Sequence, residues 1–298
     1  MADRPKKPTL ADEIVMVGVQ PHPFRDLYHW LLKANWSHVI GLITVLFLGV
    51  NVLYAFAYLA LGGIANSTGT FADAFFFSVQ TMGTIGYGAM YPQSLAANVL
   101  VTSEAVVGLL VTALATGLVF QRFSQPRAYV VFSSRLVISE VDGVPTLMGR
   151  LGNDRNDLIV DAEMHLDLVR TAKTKEGHLL YRSAELKLVR NRAASLSRTW
   201  SVMHVITPDS PLYGLTPEQA ITEELAATLS VSGVDEVTHQ TVHAHERYDT
   251  DYIVFGARLV DTLTPLPTGT LQLDLSKFDD IEPTAPTASF PFSWKPKP

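Results

Sequence analysis

Residues 84 to 88 read Thr-Ile-Gly-Tyr-Gly, and the chemistry open to such a pentapeptide lies in its backbone. Gly86 and Gly88 lack a Cβ and reach positive φ at little cost, so successive carbonyls can be aimed in one direction. Pooled from several copies around an axis, the carbonyls of Thr84, Ile85, Gly86 and Tyr87, with the Thr84 hydroxyl, form stacked rings of oxygen that can replace the water shell of a cation. No Asp or Glu lies between Asp73 and Glu104, which argues against a carboxylate ring for divalent ions. Just upstream, Phe71 to Gly83 is an apolar stretch of 13 residues, helical in character, whose C-terminal partial negative charge points at the pentapeptide.

That stretch is too short to cross a bilayer, so it must enter and stop between elements that do cross. Two are present. Val39 to Leu61 is 23 residues without a formal charge, and Ala96 to Phe120 is 25 residues whose only formal charge is Glu104. Either makes a helix of roughly 35 Å, enough for a hydrocarbon core of about 30 Å. Non-helical backbone at membrane depth needs protein around it or water beside it, and two spans cannot enclose it. An oligomer around a central axis can. Lys and Arg flank the spans on one side only: Arg4, Lys6, Lys7, Arg25 and Lys33 precede the first, Arg122 and Arg127 follow the second, and residues 62 to 95 have none. The positive-inside rule then puts both termini in the cytoplasm. The apolar run at the start is too short for a signal-peptide core, so no cleaved leader is expected.

Before the first span, Phe24, Leu27, Tyr28, Leu31 and Leu32 fall at helical spacing opposite Arg25, Asp26, His29 and Lys33, which describes an amphipathic helix lying in the interface over residues 23–34. After Pro126 the texture changes to short alternating β-branched runs, with turns at Asp142-Gly143 and Glu176-Gly177, which predict an all-β immunoglobulin-like sandwich. One short helix is expected at 216–225, with Thr216 as N-cap, Pro217 in first position and Gln219 closing a capping box. The second half is acidic, with 23 acidic and 16 basic residues after position 127, which argues against a nucleic-acid partner. The absence of cysteine excludes disulfides, thiolate metal sites and thiol nucleophiles. No nucleophile and base pattern stands out, so an enzyme is not expected. His239, His243 and His245 lack companion ligands for a metal and are expected on a strand or subunit interface.

The pentapeptide matches the potassium-channel signature, and the chain resembles the inward-rectifier potassium channels, most closely their prokaryotic KirBac branch, from Arg25 to about Asp280. "RDLYHWLLKANW" is similar to the family's slide helix, "FADAFFFSVQTMGTIGYG" to its pore helix and filter, "GLVFQRFSQPRA" to the end of its inner helix, and "FSSRLVISEVDGVPTLMGRLGNDR", "SPLYG" and "YIVFGARLVD" to its cytoplasmic domain. The resemblance implies a homotetramer in the inner (plasma) membrane with K⁺ as permeant ion, no cofactor, modulation by anionic phospholipid or phosphoinositide, and block by Mg²⁺ or polyamines. With the composition readings it gives a cytoplasmic segment 1–22, slide helix 23–34, pore domain 35–122 (outer helix 37–62, pore helix 71–83, filter 84–88, inner helix 96–122) and sandwich 123–281, while five prolines without periodicity predict a disordered tail over 282–298. Gly108 matches the inner-helix hinge, Thr112 the blocker position, and Phe120 the constriction at the bundle crossing. With Thr116 these lie at i+4 steps, a stripe of pore-lining residues. Lys33, Arg122 and Arg127 match positions that meet lipid headgroups.

The departures carry expectations too. Gln80 stands where eukaryotic relatives have Glu, so a hydrogen bond must replace any salt bridge bracing the filter. Thr112 is uncharged, which predicts weak voltage-dependent polyamine block. Ser37 replaces a usual proline, and Gln125 a basic residue. Glu104, one turn before Gly108, is expected as structural support behind the filter, since an intramembrane carboxylate needs a partner. Two rival readings stand beside the channel: a membrane-anchored sandwich receptor that conducts nothing, which leaves "TIGYG" unexplained, and a two-span potassium channel answering another cytoplasmic ligand.

Overall fold

The computed structural model describes residues 27, 30–124, 129–154, 157–196, 198–267 and 269–295, in two units, one on either side of residues 125–128. The first unit is helical. The outer span α1 (Trp36–Leu61) and the inner span α3 (Leu95–Phe123) flank a short helix α2 (Phe71–Met82). At 1.5 Å per residue the spans are about 39 and 44 Å long, so each can cross a bilayer with a turn or more to spare. Leu27 and residues 30–33 are helical as well, and the Ala34 N–H donates to the Trp30 carbonyl (2.8 Å). Phe24, Arg25, Asp26, Tyr28 and His29 of the expected slide helix lie outside the described residues.

Local chemistry sets the helix ends. Ser94 caps α3, its hydroxyl accepting from the Ala97 N–H (3.1 Å), so the inner helix begins at Leu95. The outer helix stops one residue earlier than expected because Gly62 turns to φ 64° while its N–H donates to the Tyr58 carbonyl (2.8 Å). Thr70 caps α2 by accepting from the Asp73 N–H (3.3 Å), and the Asp73 carboxylate accepts from the Thr68 N–H (2.6 Å) and hydroxyl (2.7 Å). Two strands, β1 (Ile64–Ala65) and β2 (Tyr91–Pro92), pair antiparallel and tie the chain entering α2 to the chain leaving the pentapeptide. Ala55, Tyr58, Ala74 and Phe77 pack as the core between α1 and α2, with the Tyr58 and Phe77 rings edge to face at 5.1 Å.

The second unit is a sandwich of two five-stranded sheets. One runs 241–248, 226–235, 159–173, 179–185, with 192–196 also paired to 159–173; the other runs 253–255, 136–141, 144–153, 130–132, with 200–205 also paired to 144–153. All pairs in these sheets are antiparallel except 253–255 against 136–141. Strict alternation along 162–168 puts Ala162, Met164, Leu166 and Leu168 inward, where they meet Leu136, Ile138, Leu147 and Leu151 from the facing sheet in one core. Asp142 (φ 53°) and Gly143 (φ 78°) make the expected tight hairpin turn. The helix Pro217–Thr222 carries the full capping box between Thr216 and Gln219.

The expected disordered tail is instead part of this unit through Lys295. Residues 281–283 pair antiparallel with 257–259, Phe290 is buried in the main core, and Trp294 packs beside Val137, Val254 and Ala257 on the outer face of the second sheet. Its five prolines suppress periodicity without suppressing burial, because Phe290, Phe292 and Trp294 anchor an irregular backbone. Gly256 makes room for it: at φ 75°, a Cβ there would stand 2.5 Å from the Phe292 carbonyl oxygen.

Candidate ion pathway

The segment 84–88 leaves the C-terminal end of α2 under tight main-chain control. The Gly83 N–H donates to the Val79 carbonyl (2.9 Å), and the Gln80 carbonyl accepts from the N–H groups of Ile85 (2.9 Å) and Gly86 (3.4 Å). Beyond this turn the sign of φ alternates: Thr84, Gly86 and Gly88 stand at 55°, 60° and 76°, while Ile85 and Tyr87 are not in the positive region. In a strand successive carbonyls point to opposite sides; alternating left- and right-handed residues can bring them to one side. Nothing lies within 4 Å of a Cβ built at Gly86 or Gly88, so dihedral angle rather than crowding demands glycine there. Thr84 has no such freedom, and a β-branched residue at φ 55° is strained.

Gln80 departs from expectation. Among the described residues of the chain its side chain makes no hydrogen bond, and its contribution is the main-chain carbonyl just described.

Glu104 is completely buried where α3 crosses α1 and α2. Tyr58 donates its hydroxyl to Glu104 Oε2 (2.5 Å), and Ser78 Oγ makes a short contact with Oε1. Ser78 Oγ also lies 2.9 Å from Asn51 Oδ1, and the Asn51 amide donates to the Phe47 carbonyl (2.8 Å) and the Met82 sulfur (3.2 Å). Asn51, Tyr58, Ser78 and Met82 did not stand out in the sequence. Asn51 had the clearest signal, as the one side-chain amide in a 23-residue apolar span.

The i+4 stripe on α3 divides. Thr112, Thr116 and Phe120 are exposed in the single chain, Phe120 to 70%. Gly108 is buried instead, and a Cβ there would come within 3.0 Å of Met82 Cγ and 3.2 Å of its carbonyl oxygen. The reason is helical drift: four residues advance about 400°, so twelve residues rotate the face by about 120°. Gly108 is therefore the point of close approach between the inner helix and the end of α2, not part of the exposed stripe.

Of the expected lipid contacts, Lys33 is exposed and Arg127 lies outside the described residues. Arg122 is engaged elsewhere. Its guanidinium donates to the Leu31 carbonyl (2.9 Å) and to the Ala34 carbonyl in a short contact, and lies 4.8 Å over the Trp36 ring. It satisfies carbonyls at the end of the helical turn over 30–33 and complements their partial negative charge.

In the second unit His243 and His245 are exposed on strand 241–248, and His239 sits in the preceding turn at φ 54°. Among the described residues no group of His, Asp and Glu could hold a metal ion.

Residues 130–294 match the family model described as the inward rectifier potassium channel C-terminal domain, and residues 41–125 match the ion channel model. The chain is 46% identical over 258 residues to the inward rectifier potassium channel Kirbac3.1 of Paramagnetospirillum magnetotacticum, covering 86% of this chain and 88% of the relative. It is 32% identical to the rat G protein-activated inward rectifier potassium channel 1 (70% of this chain, 43% of the relative) and 28% identical to the human ATP-sensitive inward rectifier potassium channel 11 (85% and 71%). The chain belongs to the inward rectifier potassium channel family, a membrane-embedded ion channel rather than an enzyme, with K⁺ as its permeant ion.

Proposed function

We propose that four copies of the chain surround one axis and that K⁺ crosses by exchanging its water shell for the carbonyl oxygens of Thr84, Ile85, Gly86 and Tyr87. The observation that carries this reading is the alternation of φ at Thr84, Gly86 and Gly88, which a simple turn does not require. The exposed face bearing Thr112, Thr116 and Phe120 lines the inner pore, and Phe120 closes it by dewetting when the rings approach. Thr112, being uncharged, leaves Mg²⁺ and polyamines a weak hold. Both termini are cytoplasmic in the inner membrane, because the basic residues flank the spans on that side. Anionic phospholipid, including phosphoinositide, acts through Lys33 and Arg127, each worth about 1 kcal/mol near an anionic surface. Arg122 serves the slide-helix end instead.

The test is Rb⁺ uptake into liposomes holding the purified channel, with Ba²⁺ and anionic lipid as variables. Gly86→Asp forces a side chain onto a φ of 60° and a charge into the pathway. It is expected to abolish Ba²⁺-sensitive uptake while the tetramer still elutes intact. Uptake by the pure variant at the level of the unmodified channel overturns the assignment.

A further inference from the structure

The cluster around Glu104 contains more acceptors than an ionised carboxylate allows. Asn51 Nδ2 lies 2.8 Å from the Phe47 carbonyl, which can only accept, so the amide cannot be flipped and Oδ1 faces Ser78. Asn51 Oδ1 can only accept as well. The single proton of Ser78 is therefore committed to Asn51, and Ser78 Oγ can meet Glu104 Oε1 only by accepting. Two lone pairs in close contact would otherwise face each other in a site with no exposure at Asn51, Ser78 or Glu104. Charge balance leads to the same place. Residues 34 to 121 contain no Lys or Arg, and Arg122 at the far end of α3 is engaged with the Leu31 and Ala34 carbonyls, so neither span nor α2, of this copy or a symmetry-related one, places a Lys or Arg beside Glu104 to compensate a carboxylate.

We propose that Glu104 carries its proton and donates it to Ser78, as one link of a unidirectional hydrogen-bond chain that positions α2, and with it the 84–88 backbone, against both spans. The chain runs from the Tyr58 hydroxyl to Glu104 Oε2, from Glu104 Oε1 to Ser78, from Ser78 to Asn51, and from Asn51 to the Phe47 carbonyl and the Met82 sulfur. Each proton in the chain is donated once, and each acceptor named in it receives a proton. Met82 is the last residue of α2 and also the residue that covers Gly108, so the chain ends where the filter begins. Glu104 is thus a positioning residue, acting on the ion path through Ser78 and Met82. The inference rests on the reading of residues 84–88 as that path.

Infrared spectroscopy of the full channel in lipid at pH 7 tests the proton directly. The difference between the unmodified channel and Glu104→Gln should show the carbonyl band of one protonated carboxylic acid, lost in the variant. Gln supplies an N–H donor for Ser78 and an oxygen for Tyr58, so Rb⁺ uptake and its preference over Na⁺ should stay within about twofold. Ser78→Ala leaves Glu104 in place but cuts the chain, and uptake should fall about tenfold or more with the tetramer retained. Absence of the acid band overturns the inference, as does a Glu104→Gln channel as impaired as Ser78→Ala. If the unmodified channel passes no Rb⁺, the conduction reading fails, and the infrared band still decides the proton.

Discussion

Thr84 occupies a backbone conformation that costs a β-branched residue about 1–3 kcal/mol, and it is held there by the turn that the Gln80 carbonyl closes. At the same scale, His204 in the cytoplasmic unit shows how burial sets a charge state. Its Nδ1–H donates to the Lys187 carbonyl (2.9 Å), so Nε2 accepts from Ser210 (2.8 Å), and desolvation holds the imidazole below its ordinary value. The unfolded chain, with His near pH 6.5, then binds the proton more readily. Stability from this site is complete above about pH 6.5 and is lost as pH falls toward the folded value. His165 has the opposite sign, because the Glu185 carboxylate at 2.7 Å raises it; its contribution is present below about pH 6.5 and lost as pH rises. Being exposed, it weighs less. The thermal midpoint should drop between pH 7 and 5.5, and His204→Gln should flatten that drop; equal slopes in both proteins would refute the assignment. The pentapeptide at 84–88 stands out in the sequence because glycine at alternate positions has few other uses, and Gly86 and Gly88 do take positive φ. The Asn51, Ser78 and Glu104 constellation is not, since its members come from three helices and only folding reveals which donors face which acceptors.

Among elements, the contact between α3 and the helical turn over 30–33 is made by Arg122 across 91 residues of sequence from Leu31. Basic residues beside a span read as topology or lipid contact, and nothing in composition says that a guanidinium turns back onto carbonyls of its own chain. Two hydrogen bonds from a charged donor, with Trp36 beneath it, make Arg122→Ala costly to this junction. Amide exchange over residues 31–34 should quicken about tenfold or more, while the response to anionic lipid proposed for Lys33 should be unchanged. Unchanged exchange would mean the clamp contributes nothing. The two spans were legible from hydropathy, since Val39 to Leu61 and Ala96 to Phe120 fall inside Trp36–Leu61 and Leu95–Phe123 and miss at most three residues at an end. The fate of Gly108 was not, because a face that drifts along a straight helix cannot be followed by counting fours.

At the level of the whole molecule, the sandwich is completed by a segment whose prolines suggested disorder. Phe290 enters the main core and Phe292 packs on it with ring centroids 5.0 Å apart. Phe290→Ala should cost about 3–5 kcal/mol and lower the unfolding temperature of the cytoplasmic unit in the detergent-purified channel. A channel ending at Asp280 should expose Val137 and Val254 and become sensitive to limited proteolysis within 129–280; resistance equal to that of the full chain would show the segment to be dispensable. The sheet pattern itself was readable from alternation, whereas this closure depends on three aromatic residues with no period between them.

The strained Thr84 and its neighbours also place the permeant ion in an energetic role distinct from transport. If the carbonyls at 84–87 converge on one axis, an empty pathway leaves them repelling one another with no compensating charge, and each bound ion stabilises the folded pore by mass action, as RT ln(1 + [K⁺]/Kd). K⁺ is then a structural ligand of the protein it passes through, and the heat resistance of the assembled pore becomes a titration curve for its own substrate.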